Sequence, residues 1–156
     1  MMKYLQKLGK AIMLPVAVLP VAAIMMGIGY AMCPATMQGG DVTGIIQIIG
    51  FALVKIGSAV IDKLPMLFAV GVAIGLSKDQ HGAAGLAGLV AFLTVTTVLN
   101  SGVVATMMGA EEAPLAFTKI DNAFIGIISG ITASVCYNKF SSAQLPTALA
   151  FFSGKR

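Results

Sequence analysis

The chain has 156 residues, of which 58% are hydrophobic and 10% charged, and its mean hydropathy is +0.94. Soluble domains carry about 25% charged residues, so this balance excludes a water-soluble enzyme and marks an integral membrane protein. The net charge of +4 comes without a basic patch interleaved with aromatics, so it is no nucleic-acid footprint.

Residues 1–10 set Lys3, Lys7 and Lys10 along one side of a helix, with Tyr4, Leu5 and Leu8 on another. That pattern suits a short helix lying on an anionic membrane surface. A plain solvated lead into the first span accounts for it as well. Residues 11–40 and 82–110 contain no Asp, Glu, Lys or Arg, and each exceeds the about 20 residues needed to cross a bilayer. The first span covers 11–32 and is interrupted by Pro15 and Pro20, which bend it; neighbours re-satisfy the carbonyls a membrane proline frees. Cys33-Pro34 and the Gly39-Gly40-Asp41 turn close it.

Residues 45–76 are too long for one upright helix, reaching about 48 Å against a hydrocarbon core of about 30 Å. Lys55, Asp62 and Lys63 make the first half amphipathic, and Pro65 breaks the ladder. Residues 45–61 therefore read as interfacial or steeply tilted, and 64–77 as the deep part of span two. Gly71 and Gly75 share a face there, where a neighbouring backbone can approach closely. The run 78–82 is a polar hairpin loop. It holds His81, the only histidine, whose plainest reading is a solvated side chain. Span three, 82–99, opens with a second small-residue face carrying Gly85 and Gly88. Residues 100–122 read as a loop, with Glu111 and Glu112 as a solvated acidic pair. Span four, 123–137, carries Gly126 and Gly130, and 138–156 reads as a surface segment. Cys33 and Cys136 show no metal-ligand spacing and read as packing residues. No residue cluster calls for a metal or cofactor.

Orientation follows from charge. With both termini in the cytoplasm, Lys3, Lys7, Lys10, Lys78, Lys139, Lys155 and Arg156 all fall inside, as the positive-inside rule requires. The fold class is thus all-α integral membrane, with about four transmembrane helices plus interfacial amphipathic segments.

Several segments in order resemble a known family. They are Leu5-Gln-Lys-Leu-Gly-Lys-Ala-Ile-Met-Leu-Pro-Val-Ala-Val-Leu-Pro20, Leu64-Pro-Met-Leu-Phe-Ala-Val-Gly-Val-Ala-Ile-Gly-Leu-Ser-Lys-Asp79 and Gly82-Ala-Ala-Gly-Leu-Ala-Gly88. Asp121-Asn-Ala-Phe-Ile-Gly-Ile-Ile-Ser-Gly130, Tyr137-Asn-Lys-Phe140, Leu145-Pro146 and Phe151-Phe-Ser-Gly-Lys-Arg156 continue the series. Together they resemble the N-terminal part of the membrane subunit, enzyme IIC (EIIC), of the bacterial phosphotransferase system (PTS), glucose and N-acetylglucosamine branch. The resemblance implies residues 1–156 are a scaffold that builds a homodimer interface in the bacterial cell (inner) membrane. It also implies a hexose or N-acetylhexosamine substrate and a partner EIIB domain carrying a phosphocysteine.

Family members continue past this point into a transport domain with a Thr-Glu-Pro motif, and no such motif occurs here. The resemblance therefore implies a truncated or split permease, inactive alone, without its transport domain, EIIB or EIIA. The Asp121–Gly126 run leans toward N-acetylglucosamine. Lys155 and Arg156 are candidates for attracting the EIIB phosphate, with charge anchoring as the plainer reading. Met13 is a candidate for the wall of the translocation route, with packing as the plainer reading. The alternative function is a small stand-alone membrane protein whose glycine faces drive oligomerisation, acting as a regulator or pore-like assembly.

Overall fold

The structure, a computed structural model, describes residues 2–141 and 143; the tail that holds Lys155 and Arg156 lies outside them. Among the described residues the chain is helical, with no strand. It forms two compact units, one of Met13–Leu64 and one that takes the chain up to Ile12 and again from Pro65.

Helix α1 (Met2–Val16) runs through Lys10 and Ala11 without a break, so the lysine-bearing start is not a separate surface helix. It is followed by α2 (Leu19–Met32). Pro15 sits in the last turn of α1, and Pro20 in the first turn of α2, where a missing N–H costs nothing. Between them the ladder thins but continues, with Ala17 N–H donating to Met13 O at 3.0 Å and Ala22 N–H to Val18 O at 3.2 Å. Residues 2–32 thus make one stretch of 31 residues, long and apolar enough to cross a membrane.

In the first unit, the short α3 (Ala35–Gln38) leads through left-handed Gly39 (φ 71°) toward α4 (Ile45–Asp62). Helices α2 and α4 pack antiparallel, with Gly29 level with Gly50 and Ala22 level with Gly57. A methyl group added at Gly29 would lie 2.6 Å from the Gly50 carbonyl oxygen, and one at Gly57 would lie 2.7 Å from that of Ala22. The two backbones meet where at least one helix carries no side chain, as membrane helices do.

The second unit is built on α5 (Leu64–Leu76), which packs against α6 (Gly82–Val98) and α8 (Ala123–Phe140). Pro65, Phe68, Ala69, Val72, Ala73 and Leu76 of α5 are buried, covering both sides of a short helix. The buried residues of α6 are Ala84, Gly85, Gly88 and Phe92, a stripe of four-residue steps. Those of α8 are Gly126, Ser129, Gly130, Ala133 and Ser134. Ala11, Val72 and Leu76 form a buried cluster, joined by Leu8, Ile12, Ile127 and Ile131.

Two expectations change. Helix α4, at 18 residues, is long and apolar enough to cross a membrane, so 45–61 need not lie at an interface. Helix α5 has 13 residues, only about 20 Å at 1.5 Å per residue, so the segment read as the deep part is the one too short to cross alone. The expected loop 100–122 also contains a helix, α7 (Ser101–Met108), and a 3-10 turn over Leu115–Lys119. Asn100 starts α7 by accepting from Gly102 N–H at 3.0 Å, and left-handed Gly109 ends it. The α6–α7 pair bends by 53° at this break. Spans three and four otherwise keep their expected positions, and α8 extends to Phe140. By length and composition, three helical stretches can cross a membrane, or four if the bent pair is one span.

The burial pattern fits a lipid solvent: Val21, Ile24 and Ile28 of α2 are exposed, whereas its buried residues are Ala22 and Gly29. Cys33 is fully buried and Cys136 is exposed, both as free thiols, so only Cys33 serves packing.

Adding a methyl group separates contact glycines from idle ones. Gly29→Ala and Gly88→Ala place Cβ against a backbone oxygen, at 2.6 and 2.5 Å. Each should lower stability by about 1–3 kcal/mol, the usual cost of overpacking. Gly27, inside α2 with open space around it, should instead gain about 0.5–1 kcal/mol as Ala. Thermal unfolding in detergent by circular dichroism reads all three.

Candidate functional site

Polar contacts of the second unit converge on the C-terminal end of α5. A helix ends in carbonyls without intrahelical partners and a partial negative charge. Here Lys7 Nζ donates to the Ser77 carbonyl at 3.2 Å and the Leu76 carbonyl at 3.4 Å. Asn138, from the last turns of α8, donates through Nδ2 to the Leu76 carbonyl at 3.2 Å. Its Oδ1 accepts the Lys78 N–H at 2.8 Å. Tyr137 Oη donates to Asp79 Oδ2 at 3.1 Å, and Asp79 Oδ1 accepts the His81 N–H at 3.4 Å.

His81 is half-buried rather than simply solvated. Its Nδ1 accepts the Ala83 N–H at 3.2 Å and caps α6, so that nitrogen carries no proton in this contact. Residues from α1, α5, α6 and α8 therefore meet at one end of the unit, where Lys78 and Lys139 add further positive charge. The arrangement fastens the loop and presents a basic surface. No group of three His, Cys, Asp or Glu side chains gathers at a metal-sized site among the described residues.

The glycines singled out by spacing are placed as follows. Gly126 abuts the carbonyl of Pro65, and a Cβ at Gly130 would lie 2.8 Å from the carbonyl oxygen of Ala69. The same oxygen faces Gly88 from the other side. Gly75 abuts Ala11 of α1, and Gly85 faces Ile74 and Val70. Gly71 is half-buried on α5. Met13 is 68% exposed on α1. Sequence reasoning passed over Gly29, Gly50 and Gly57. The seven-residue step from Gly50 to Gly57, two helical turns on one face, was the available signal.

Three cavities among the described residues have polar side chains in their linings. One, of about 420 Å³, holds Glu111, Glu112 and Thr118. A second, of about 410 Å³, lies at the α6–α7 break among Thr96, Thr97, Asn100, Phe117, Thr118 and Asp121. The third, of about 480 Å³, belongs to the first unit and is lined by Tyr30, Thr36, Phe51, Lys55, Ser58 and Asp62, among others. Lys55, Ser58 and Asp62 share a face of α4, being three and four residues apart. The Lys55 ammonium sits 5.3 Å from the centre of the Phe51 ring. Lys55 is the eleventh of the 18 residues of α4, a helix able to cross the membrane. A lysine at the centre of a spanning helix costs about 2.5–3.5 kcal/mol on insertion scales, and such residues face protein or a water-filled cavity.

Comparison with known proteins bears on all of this. Residues 9–156 match the family model "Phosphotransferase system, EIIC". The chain is 39% identical over 156 residues to the PTS system N-acetylglucosamine-specific EIICB component of Bacillus subtilis, covering 100% of this chain and 28% of that protein. It is 36% identical over 167 aligned residues to the PTS system glucose-specific EIICBA component of Staphylococcus saprophyticus subsp. saprophyticus, covering 97% of this chain and 24% of that one. The chain thus spans about a quarter of the length of these relatives.

Removing either grip on α5 should be measurable. Lys7→Met and Asn138→Leu should each cost about 0.5–1.5 kcal/mol, the net worth of such bonds. Because both side chains donate to the Leu76 carbonyl, either one still satisfies it when the other is lost, so the double variant should lose more than the sum. Thermal unfolding in detergent measures the cycle, with the exposed Lys3→Met as the reference.

Proposed function

Because the chain belongs to the phosphotransferase system EIIC family, we propose that it is the N-terminal scaffold part of a membrane sugar permease. The whole permease would carry N-acetylglucosamine or glucose across the bacterial cell membrane. An EIIB partner would phosphorylate the sugar on the cytoplasmic side. The observation that carries this reading is the coverage: all 156 residues align with a quarter of a protein named for N-acetylglucosamine.

The physical properties of the chain support the division of labour. A buried sugar site needs matched donors and acceptors, because unpaired polar groups are costly. The buried faces of α5, α6 and α8 are instead apolar and mostly small, with Ser129 and Ser134 as the hydroxyl exceptions. Such faces, closed against one another within the unit, suit a rigid frame. The end that gathers Lys7, Lys78 and Lys139 is the cytoplasmic end by the positive-inside rule, with both termini on that side. Lys155 and Arg156 are placed there by sequence and would help attract a phosphorylated EIIB domain.

Cells lacking their own hexose permease provide the test. Expressing residues 1–156 alone should give no uptake of radiolabelled N-acetylglucosamine or glucose. Supplying the remaining three-quarters of the Bacillus subtilis relative as a separate polypeptide should restore it. Uptake by the 156-residue chain alone would refute the scaffold reading. Failure of co-expression to restore uptake would favour a stand-alone oligomeric membrane protein.

A further inference from the structure

We propose that the groove on α4 around Lys55 is a sugar-contacting subsite on the scaffold, separate from any site in the rest of the permease. The inference rests on the hexose-permease reading. It starts from Lys55, a charged residue deep within a helix able to cross the membrane. Its ammonium lies over the Phe51 ring, and its groove holds a second charge of opposite sign, Asp62, two helical turns along. In lipid such a face demands water or a polar occupant.

The lining selects among occupants. Lys55 offers donors only, and Asp62 at the other end offers acceptors. A phosphate or an anionic headgroup would meet the Asp62 carboxylate, and a simple cation would meet Lys55. A neutral polyol suits both, since each hydroxyl donates and accepts. The intervening hydroxyls are already oriented. Ser58 Oγ donates to the Lys55 carbonyl at 3.1 Å, and Thr36 Oγ1 donates to the Cys33 carbonyl at 2.6 Å. Each therefore keeps its lone pairs to accept from a ligand hydroxyl. Tyr30 supplies apolar ring surface for the C–H face of a pyranose. The volume, about 480 Å³, falls within the range of small-molecule sites.

Cysteine accessibility in proteoliposomes tests this with the full chain. Ser58→Cys, combined with Cys136→Ser, places one reporter thiol between Lys55 and Asp62; the remaining Cys33 is fully buried. A membrane-impermeant maleimide should label Ser58→Cys at least tenfold faster than Ile56→Cys, a position 50% exposed on the same helix and outside the groove lining. N-acetylglucosamine or glucose should slow that labelling at least fivefold, and adding Lys55→Met or Asp62→Asn should abolish the protection. Ser58→Cys labelling no faster than Ile56→Cys, labelling unchanged by both sugars, or protection that survives both variants would each overturn the proposal. If co-expression restores uptake while sugars leave the labelling unchanged, the subsite fails and the permease reading stands.

Discussion

The second unit depends on how closely two helices can approach the backbone of α5. The carbonyl oxygen of Ala69 faces Gly88 of α6 on one side and Gly130 of α8 on the other, and the carbonyl of Pro65 faces Gly126. Any side chain at these positions would push the helices apart. Water gives no hydrophobic drive between helices in a bilayer, so association rests on dispersion contacts that fall off steeply with distance. That constraint explains why a 13-residue helix, too short to span alone, is the most thoroughly buried element of its unit. The same device recurs between α2 and α4, where Gly29, Gly50 and Gly57 do the equivalent job.

Polar groups are handled so as not to disturb this packing. Thr94, Thr96, Thr106 and Thr132 each donate back to the carbonyl four residues earlier, removing their hydroxyls from lipid. Ser77 and Ser134 do so three residues back. Ser129 Oγ, buried beside Gly130, has no hydrogen-bond partner among the described residues. Long-range polar contacts gather at the end of α5, where Lys7 and Asn138 complete carbonyls that the helix itself leaves open. Lys55 stands apart from this economy, which is why its groove reads as a site rather than as packing.

Much of the fold was legible because its boundaries are chemically marked. Pro65 and the charged pair Asp62-Lys63 fix the α4–α5 break, observed at Lys63, and Asn122 fixes the start of α8 through its contact with the Ile125 N–H. Glycine pairs four apart were visible in the sequence, but what each one touches was not. A glycine's neighbour is a tertiary fact, and only the structure pairs Gly126 with Pro65 or Gly75 with Ala11. Helix α7 was missed because its start signal is a single Asn100-Ser101 step inside a region otherwise read as polar loop. The capping role of His81 was hidden for a similar reason: imidazole is an uncommon cap, and a loop histidine is usually solvated. The charge of Lys55 pulled the reading of α4 toward an interfacial or steeply tilted helix, and the helix is long enough to cross.

Hydrogen–deuterium exchange, followed by mass spectrometry on the purified chain in detergent, measures the central claim most directly. If glycine-lined contacts around α5 hold the second unit together, the amides of residues 65–76 should be the slowest of that unit to exchange. They should outlast those of α7, whose only buried residue is Val104, by at least a hundredfold. Exchange of residues 65–76 as fast as that of 101–108 would contradict the account.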